Sequence, residues 1–146
     1  MVISGEWKLD DDGVYRPVLT VFVAGVDGSQ IEELFLIDSG ADLTVFRLDL
    51  NDRIDLPPAN NSRGSTLIGL VGATETIRVS TSLVLKTIEG VSISIKGDFT
   101  ALTDPTAIDT SILGRDVLSH FDLILSRRRN EVLLIAGNHG YSITSS

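Results

Sequence analysis

The chain contains no cysteine, which excludes disulfides and thiolate-held metal sites. It has only two histidines, His120 and His139. Neither belongs to a His-Glu-x-x-His pattern, so no metal centre and no cofactor are expected. A Gly-x-Ser-x-Gly elbow is missing, and the glycine-bearing stretch at 69–72 lacks the lysine and hydroxyl residue of a phosphate loop. Positive charge is scarce: 12 Lys and Arg stand against 20 Asp and Glu, a formal charge of -8. Nucleic acid and anionic membrane surfaces, which need a basic field, are therefore not expected partners. The one basic cluster, Arg127-Arg128-Arg129, reads as a solvated turn between two apolar strands. Long apolar runs and a basic leader are also lacking, so the expectation is no signal peptide, no membrane span and a cytoplasmic location.

What is present suits one domain of 146 residues with a sizeable core. Residues 1–13, with Trp7 and the turn-forming Asp10-Asp11-Asp12-Gly13, read as an N-terminal arm, 14–136 as the domain, and 137–146 as a tail. Val14 to Ala24 and Ile31 to Ile37 form a predicted hairpin around Gly25-Val26-Asp27-Gly28. Leu43 to Phe46 reads as a short strand, and Arg47 to Gly64, with Pro57-Pro58, as a loop or short irregular helix. Two β-like runs, Thr66 to Leu70 and Thr74 to Leu85, flank an apolar tip. Val91 to Ile95 and Phe99 to Leu102 read as strands separated by a turn at Gly97-Asp98. Asp104 to Asp109 is a predicted loop. Arg115 to His120 is the one short helix predicted with a clear pattern, followed by a hairpin of Phe121 to Leu125 with Val132 to Ala136. No repeats or heptads occur, so the architecture is all-β, a closed barrel-like domain.

The chemistry concentrates in Leu36-Ile37-Asp38-Ser39-Gly40-Ala41-Asp42-Leu43-Thr44-Val45. Apolar residues running straight into Asp38 imply a buried strand that ends at a carboxylate, and Gly40 lets backbone approach where a side chain would clash. Downstream, Ile112-Leu113-Gly114-Arg115-Asp116-Val117-Leu118 places two apolar residues and a glycine at the entry to a helix. These two elements, once each and in this order, resemble the retropepsin-like aspartic proteases over about Val14 to Ala136. The residues after Gly114 are more similar to the retropepsin-like domains of ubiquitin-shuttle proteins than to minimal viral enzymes.

The resemblance implies a retropepsin fold with a flap hairpin, whose tip here would be Gly69-Leu70-Val71-Gly72-Ala73. It implies that Asp38 is catalytic, with Ser39, Gly40 and Ala41 completing the active-site loop. Gly40, Asp42, Leu70, Val71 and Gly72 would contact substrate, Asp42 alternatively pairing with Arg115. Ile112, Leu113, Gly114 and Arg115 would support the loop from below. Leu43, Leu70, Val71 and Ile112 are candidate subsite walls. Metal-free peptide hydrolysis needs one carboxylate as base and a second as acid, and the chain has no second Asp-Ser/Thr-Gly. A two-fold homodimer pairing Asp38 across its axis supplies the missing group, with Val132 to Ala136 as a possible edge of the dimer sheet. The expected activity is aspartic endopeptidase on a peptide or protein substrate. The alternative is a catalytically silent homodimer of the same fold that binds peptides or acts as a scaffold.

Overall fold

A computed structural model describes residues 1–59, 65–69, 72–105 and 107–137, with backbone alone for 65–69 and 72–73. The expected β-rich pattern is present as eleven strands, two short α-helices and a 3-10 turn at Val26–Gly28 among these residues. β1 (Val2–Ser4) and β2 (Glu6–Leu9) precede β3 (Tyr15–Ala24), which forms a hairpin with β4 (Gln30–Ile37). β5 (Val45–Phe46) leads into α1 (Leu48–Ile54). β6 (Ser65–Gly69) and β7 (Gly72–Lys86) form a second hairpin, and β8 (Ser92–Leu102) returns along β7. β9 (Ser111–Leu113), α2 (Arg115–Leu118), β10 (Asp122–Ser126) and β11 (Glu131–Ile135) complete the chain.

Closure comes from one non-local pairing. The large sheet runs β2-β3-β4-β9-β5-β8-β7-β6, and β3 also pairs with β7 through Phe22↔Val84 and Val23↔Leu83. β3, β4, β9, β5, β8 and β7 therefore form a ring, with β2 and β6 projecting from it. Two pairings within the ring are parallel, β4 with β9 and β5 with β8. Alternate residues point inward, so Leu19, Val21 and Val23 of β3 meet Phe35 and Ile37 of β4, all buried. Phe46 links Phe35 and Phe99, at centroid distances of 6.0 and 5.6 Å.

Several elements differ from the sequence reading. β8 runs through Gly97-Asp98 without turning, Thr81 and Ser80 pairing opposite them. A Cβ on Gly97 would lie 3.2 Å from the Phe99 ring, so this glycine makes room for an aromatic residue. The polar stretch after Arg47 begins with a seven-residue helix, because Leu50 and Ile54, one turn apart, both reach the core. α2 covers four residues, shorter than the 115–120 expected. Within residues 1–13, β1 lies against β11 with Ile3 buried, and β2 pairs with β3. The Trp7 indole N–H donates to the carbonyls of Ser126 and Glu131, at 3.2 and 3.0 Å, tying the β10–β11 hairpin to the barrel.

A further correction concerns Val132 to Ala136. β11 occupies the middle of a three-stranded sheet, β1-β11-β10, and both of its sides are used. The outer strands of that sheet are β1 and β10, and on β1 the Val2 carbonyl already accepts the Ile88 N–H at 2.8 Å. No helix among the described residues is long and apolar enough to cross a membrane.

Candidate active site

β4 delivers Asp38 to the rim of the barrel. The residue's backbone N–H still donates to the Leu113 carbonyl at 3.1 Å, so the pairing of β4 with β9 continues into it. The chain then turns at once. Ala41 N–H donates to the Asp38 carbonyl at 3.1 Å, and Gly40 N–H to Asp38 Oδ1 at 3.0 Å. A Cβ on Gly40 would stand 3.2 Å from that same Oδ1. The turn therefore presents a half-buried carboxylate flanked by the exposed Ser39 and Gly40. Among the described residues, Gly40 N–H is the one hydrogen-bond partner of this carboxylate.

The second motif closes on the turn from beneath. A Cβ at Gly114 would fall 2.5 Å from the Leu43 carbonyl carbon and oxygen, a clash with backbone that only glycine avoids. Gly114 N–H donates to Thr44 Oγ1 at 3.0 Å, and the Thr44 hydroxyl donates to Asp116 Oδ1 at 2.7 Å. The same oxygen accepts the N–H groups of Thr44 and Val117, each at 2.9 Å. Backbone bonds add to this: Arg115 N–H to the Ala41 carbonyl at 2.9 Å, and Asp116 N–H to that of Asp42 at 3.2 Å. Arg115 Nη1 donates to the Ser39 carbonyl at 2.9 Å, while Nη2 donates to Asp42 Oδ1.

The structure thus brings Asp38, Ser39, Gly40, Ala41, Asp42, Leu113, Gly114 and Arg115 into one connected unit. Of the two fates considered for Asp42, pairing with Arg115 is the one observed. Gly72 pairs with Gly69 at the tip of the β6–β7 hairpin. Leu70 and Val71, as well as His139 and the rest of 138–146, lie outside the described residues. His120 is exposed beyond α2. Among the described residues no group of three or more acidic or histidine side chains could hold a metal ion.

A groove of about 610 Å³ runs beside this unit, with Val18, Leu34, Leu36, Ile108 and Ile112 as its apolar lining. Leu36 and Ile112 are register partners, each two residues before a motif residue, Asp38 and Gly114 respectively. Leu43 is partly exposed and does not line this groove. The charged lining is internally paired. Arg16 holds Asp10 and Asp12, each at 2.7 Å, and Arg47 holds Glu33 at 2.8 Å. The Arg16 hydrogen bond, joined by the Val14 N–H, lowers the Asp12 carboxyl to about 2. The Glu33 hydrogen bond raises the Arg47 guanidinium above its usual range.

Two sets of residues escaped the sequence reading. Thr44 and Asp116 sit inside the recognised motifs, yet their contact spans 72 positions and has no local signature. Glu33 did leave a signal. It shares the alternation of Phe35 and Ile37, which places a carboxylate on the core-facing side of a strand, where it requires a partner.

This combination of a six-stranded ring, an Asp-Ser-Gly turn at the end of one strand and a glycine-led helix locked beneath it defines a retropepsin-like aspartic protease fold. Comparison with known proteins agrees. The sequence pattern of the family described as retroviral aspartyl protease matches residues 14–126, and the chain belongs to that family. Among solved structures, EIAV protease complexed with the inhibitor HBY-793 is similar at 27% identity and a TM-score of 0.50, over 71% of this chain and 86% of that one. A retropepsin-like aspartic protease from Rickettsia conorii is similar in fold, at 14% identity and a TM-score of 0.59, over 92% and 88% of the respective chains. No curated protein matches.

Proposed function

We propose that two copies of this chain form a homodimeric aspartic endopeptidase in which the paired Asp38 carboxylates activate a water to hydrolyse a peptide bond. The observation that carries this reading is the Asp38 turn: a carboxylate at the rim of the barrel, held on one oxygen by Gly40 N–H and braced from beneath by Gly114 and Arg115. A rigid turn with an accessible acid suits a group that must be aimed, and one acid is half of what the reaction needs.

In the dimer the two carboxyls share one proton, because two negative charges in contact are mutually destabilising. The ionised carboxylate takes a proton from water as the oxygen attacks the carbonyl carbon, and the protonated one gives its proton to the carbonyl oxygen. Collapse of the tetrahedral diol breaks the C–N bond, with a proton passing to the leaving amine. The second copy would approach the three-stranded sheet at its β10 edge. Substrate would lie extended under the β6–β7 hairpin as a flap, with Leu36 and Ile112 of the groove as apolar walls.

Cleavage of a diverse peptide mixture by wild type and by Asp38→Asn, read by mass spectrometry from acidic to neutral pH, tests this. Cuts made by wild type and abolished in the variant are expected. Activity with an optimum above about pH 8 contradicts a shared proton, and an active species that sediments as a monomer contradicts the pairing. A folded dimer that cuts nothing at any pH would instead be a peptide-binding or scaffold module.

A further inference from the structure

Glu33, Arg47 and Ser111 form a second polar cluster, separate from the bonds that brace the Asp38 turn. Glu33 is 6% exposed and Ser111 fully buried. Arg47 Nε donates to Glu33 Oε2 at 2.8 Å and Nη2 to Oε1 at 3.2 Å. The Ser111 hydroxyl donates to Glu33 Oε2 at 2.8 Å and accepts the Arg47 backbone N–H at 3.1 Å. The guanidinium also reaches Asp49 in α1, at 3.3 Å, and Asp109 in the loop before β9, at 3.4 Å.

Stability alone does not explain this cluster. Burying a carboxylate and a guanidinium carries a desolvation cost, and well-packed apolar residues in their place are often as stable or more so. Register does explain it. β9 has three residues, Ser-Ile-Leu, paired in parallel with β4 as Phe35↔Ser111, Leu36↔Ile112 and Ile37↔Leu113. So short an apolar pairing resists a two-residue slip poorly, because such a slip preserves which faces point inward. The hydroxyl of Ser111 meets both Glu33 and the Arg47 N–H only in the observed register. That register sets the Leu113 carbonyl against Asp38 N–H, Gly114 beneath Leu43, and Ile112 beside Leu36.

We propose that Glu33, Arg47 and Ser111 act as a register lock: positioning residues that align the Gly114-Arg115 motif and the Ile112 wall with the Asp38 turn. The Arg47–Asp109 pair extends the hold to the loop carrying Ile108. The consequence for cleavage rests on the peptidase reading above, whereas the consequence for backbone order does not.

The test uses the full chain carrying Glu33→Met with Arg47→Met, beside Asp109→Asn, whose side chain is 91% exposed, so that its replacement is expected to leave folding intact. The double variant is expected to keep its Tm within a few degrees, as an apolar replacement of a buried pair should. Hydrogen exchange at the Asp38 and Gly114 amides is expected to speed up by about tenfold or more while Val21 and Leu83 stay protected. kcat/KM should fall, by up to about a hundredfold, the order of effect of a misplacement of about 1 Å near reacting groups. Asp109→Asn should raise KM by about threefold with kcat unchanged, the range of one exposed ion pair. Wild-type exchange and kinetics in the double variant overturn the lock. So does protection lost equally at Val21 and Leu83, which would make the cluster a source of general stability only. If wild type cuts no peptide, the peptidase reading fails, and exchange at Asp38 and Gly114 still decides the lock.

Discussion

Two guanidinium–carboxylate pairs flank β9, and they differ in setting more than in chemistry. Arg115 with Asp42 lies outside, their side chains 51% and 82% exposed, whereas Arg47 with Glu33 lies inside, at 25% and 6%. Water competes for the outer pair and screens it, so its two charges can part at little cost. The inner pair has less recourse, and removing Arg47 leaves the buried Glu33 carboxylate without a counter-charge. The same bond is thus a soft tether above the strand and a stiff one within it. The outer pair touches the Asp38 turn, and the inner pair lies against the strand beneath.

Substitutions can separate these roles. The largest effect is expected at Gly114: Gly114→Ala drives a methyl into Leu43 backbone and should cost about 3 kcal/mol or more, read as a fall in the urea midpoint. Arg47→Met, which strands Glu33 with only the Ser111 hydroxyl, should cost about 3 kcal/mol in the same assay. If that single change proves as mild as the double replacement, the contrast between inner and outer pairs collapses. Arg115→Met should cost about 1 kcal/mol or less, and less still in high salt. A larger loss would mean that the Arg115 bond to the Ser39 carbonyl matters beyond charge pairing.

The smallest effect is expected at Asp12, in a third and partly exposed pair with Arg16. Its carboxyl titrates lower in the folded chain, at about 2, than in the unfolded chain, where the usual value is 3.8. The folded state therefore gains from this group above about pH 4, and the gain disappears as pH falls toward 2. Thermal melts of Asp12→Asn should lie slightly below wild type near neutrality, and the difference should shrink as pH falls through that window toward 2.

Much of the fold could be read from the sequence, for local reasons. The β3–β4 hairpin followed from β-branched runs around Gly25-Val26-Asp27-Gly28, and the Asp38 turn from an apolar strand broken by Asp-Ser-Gly. The errors fall where local signals mislead. Gly97-Asp98 has turn composition but lies in mid-strand, because the Phe99 ring fills the space a Cβ would need. Residues 1–13 carry turn composition at Asp10-Asp11-Asp12-Gly13 and read as an arm, yet pairing of β1 with β11 buries Ile3.

The sequence by itself determined the strand-rich pattern, the one carboxylate delivered at a strand end, and the glycine-led second motif. These are set by neighbours a few residues apart, through side-chain period and turn preference. Only the tertiary structure decided that β3 meets β7 to close the ring, that Thr44 and Asp116 join the two motifs, and that Glu33 shares a hydroxyl and a guanidinium with partners 78 and 14 positions away. Such contacts are selected by mutual burial and hydrogen-bond satisfaction across the folded barrel, a condition that no short stretch of chain carries on its own.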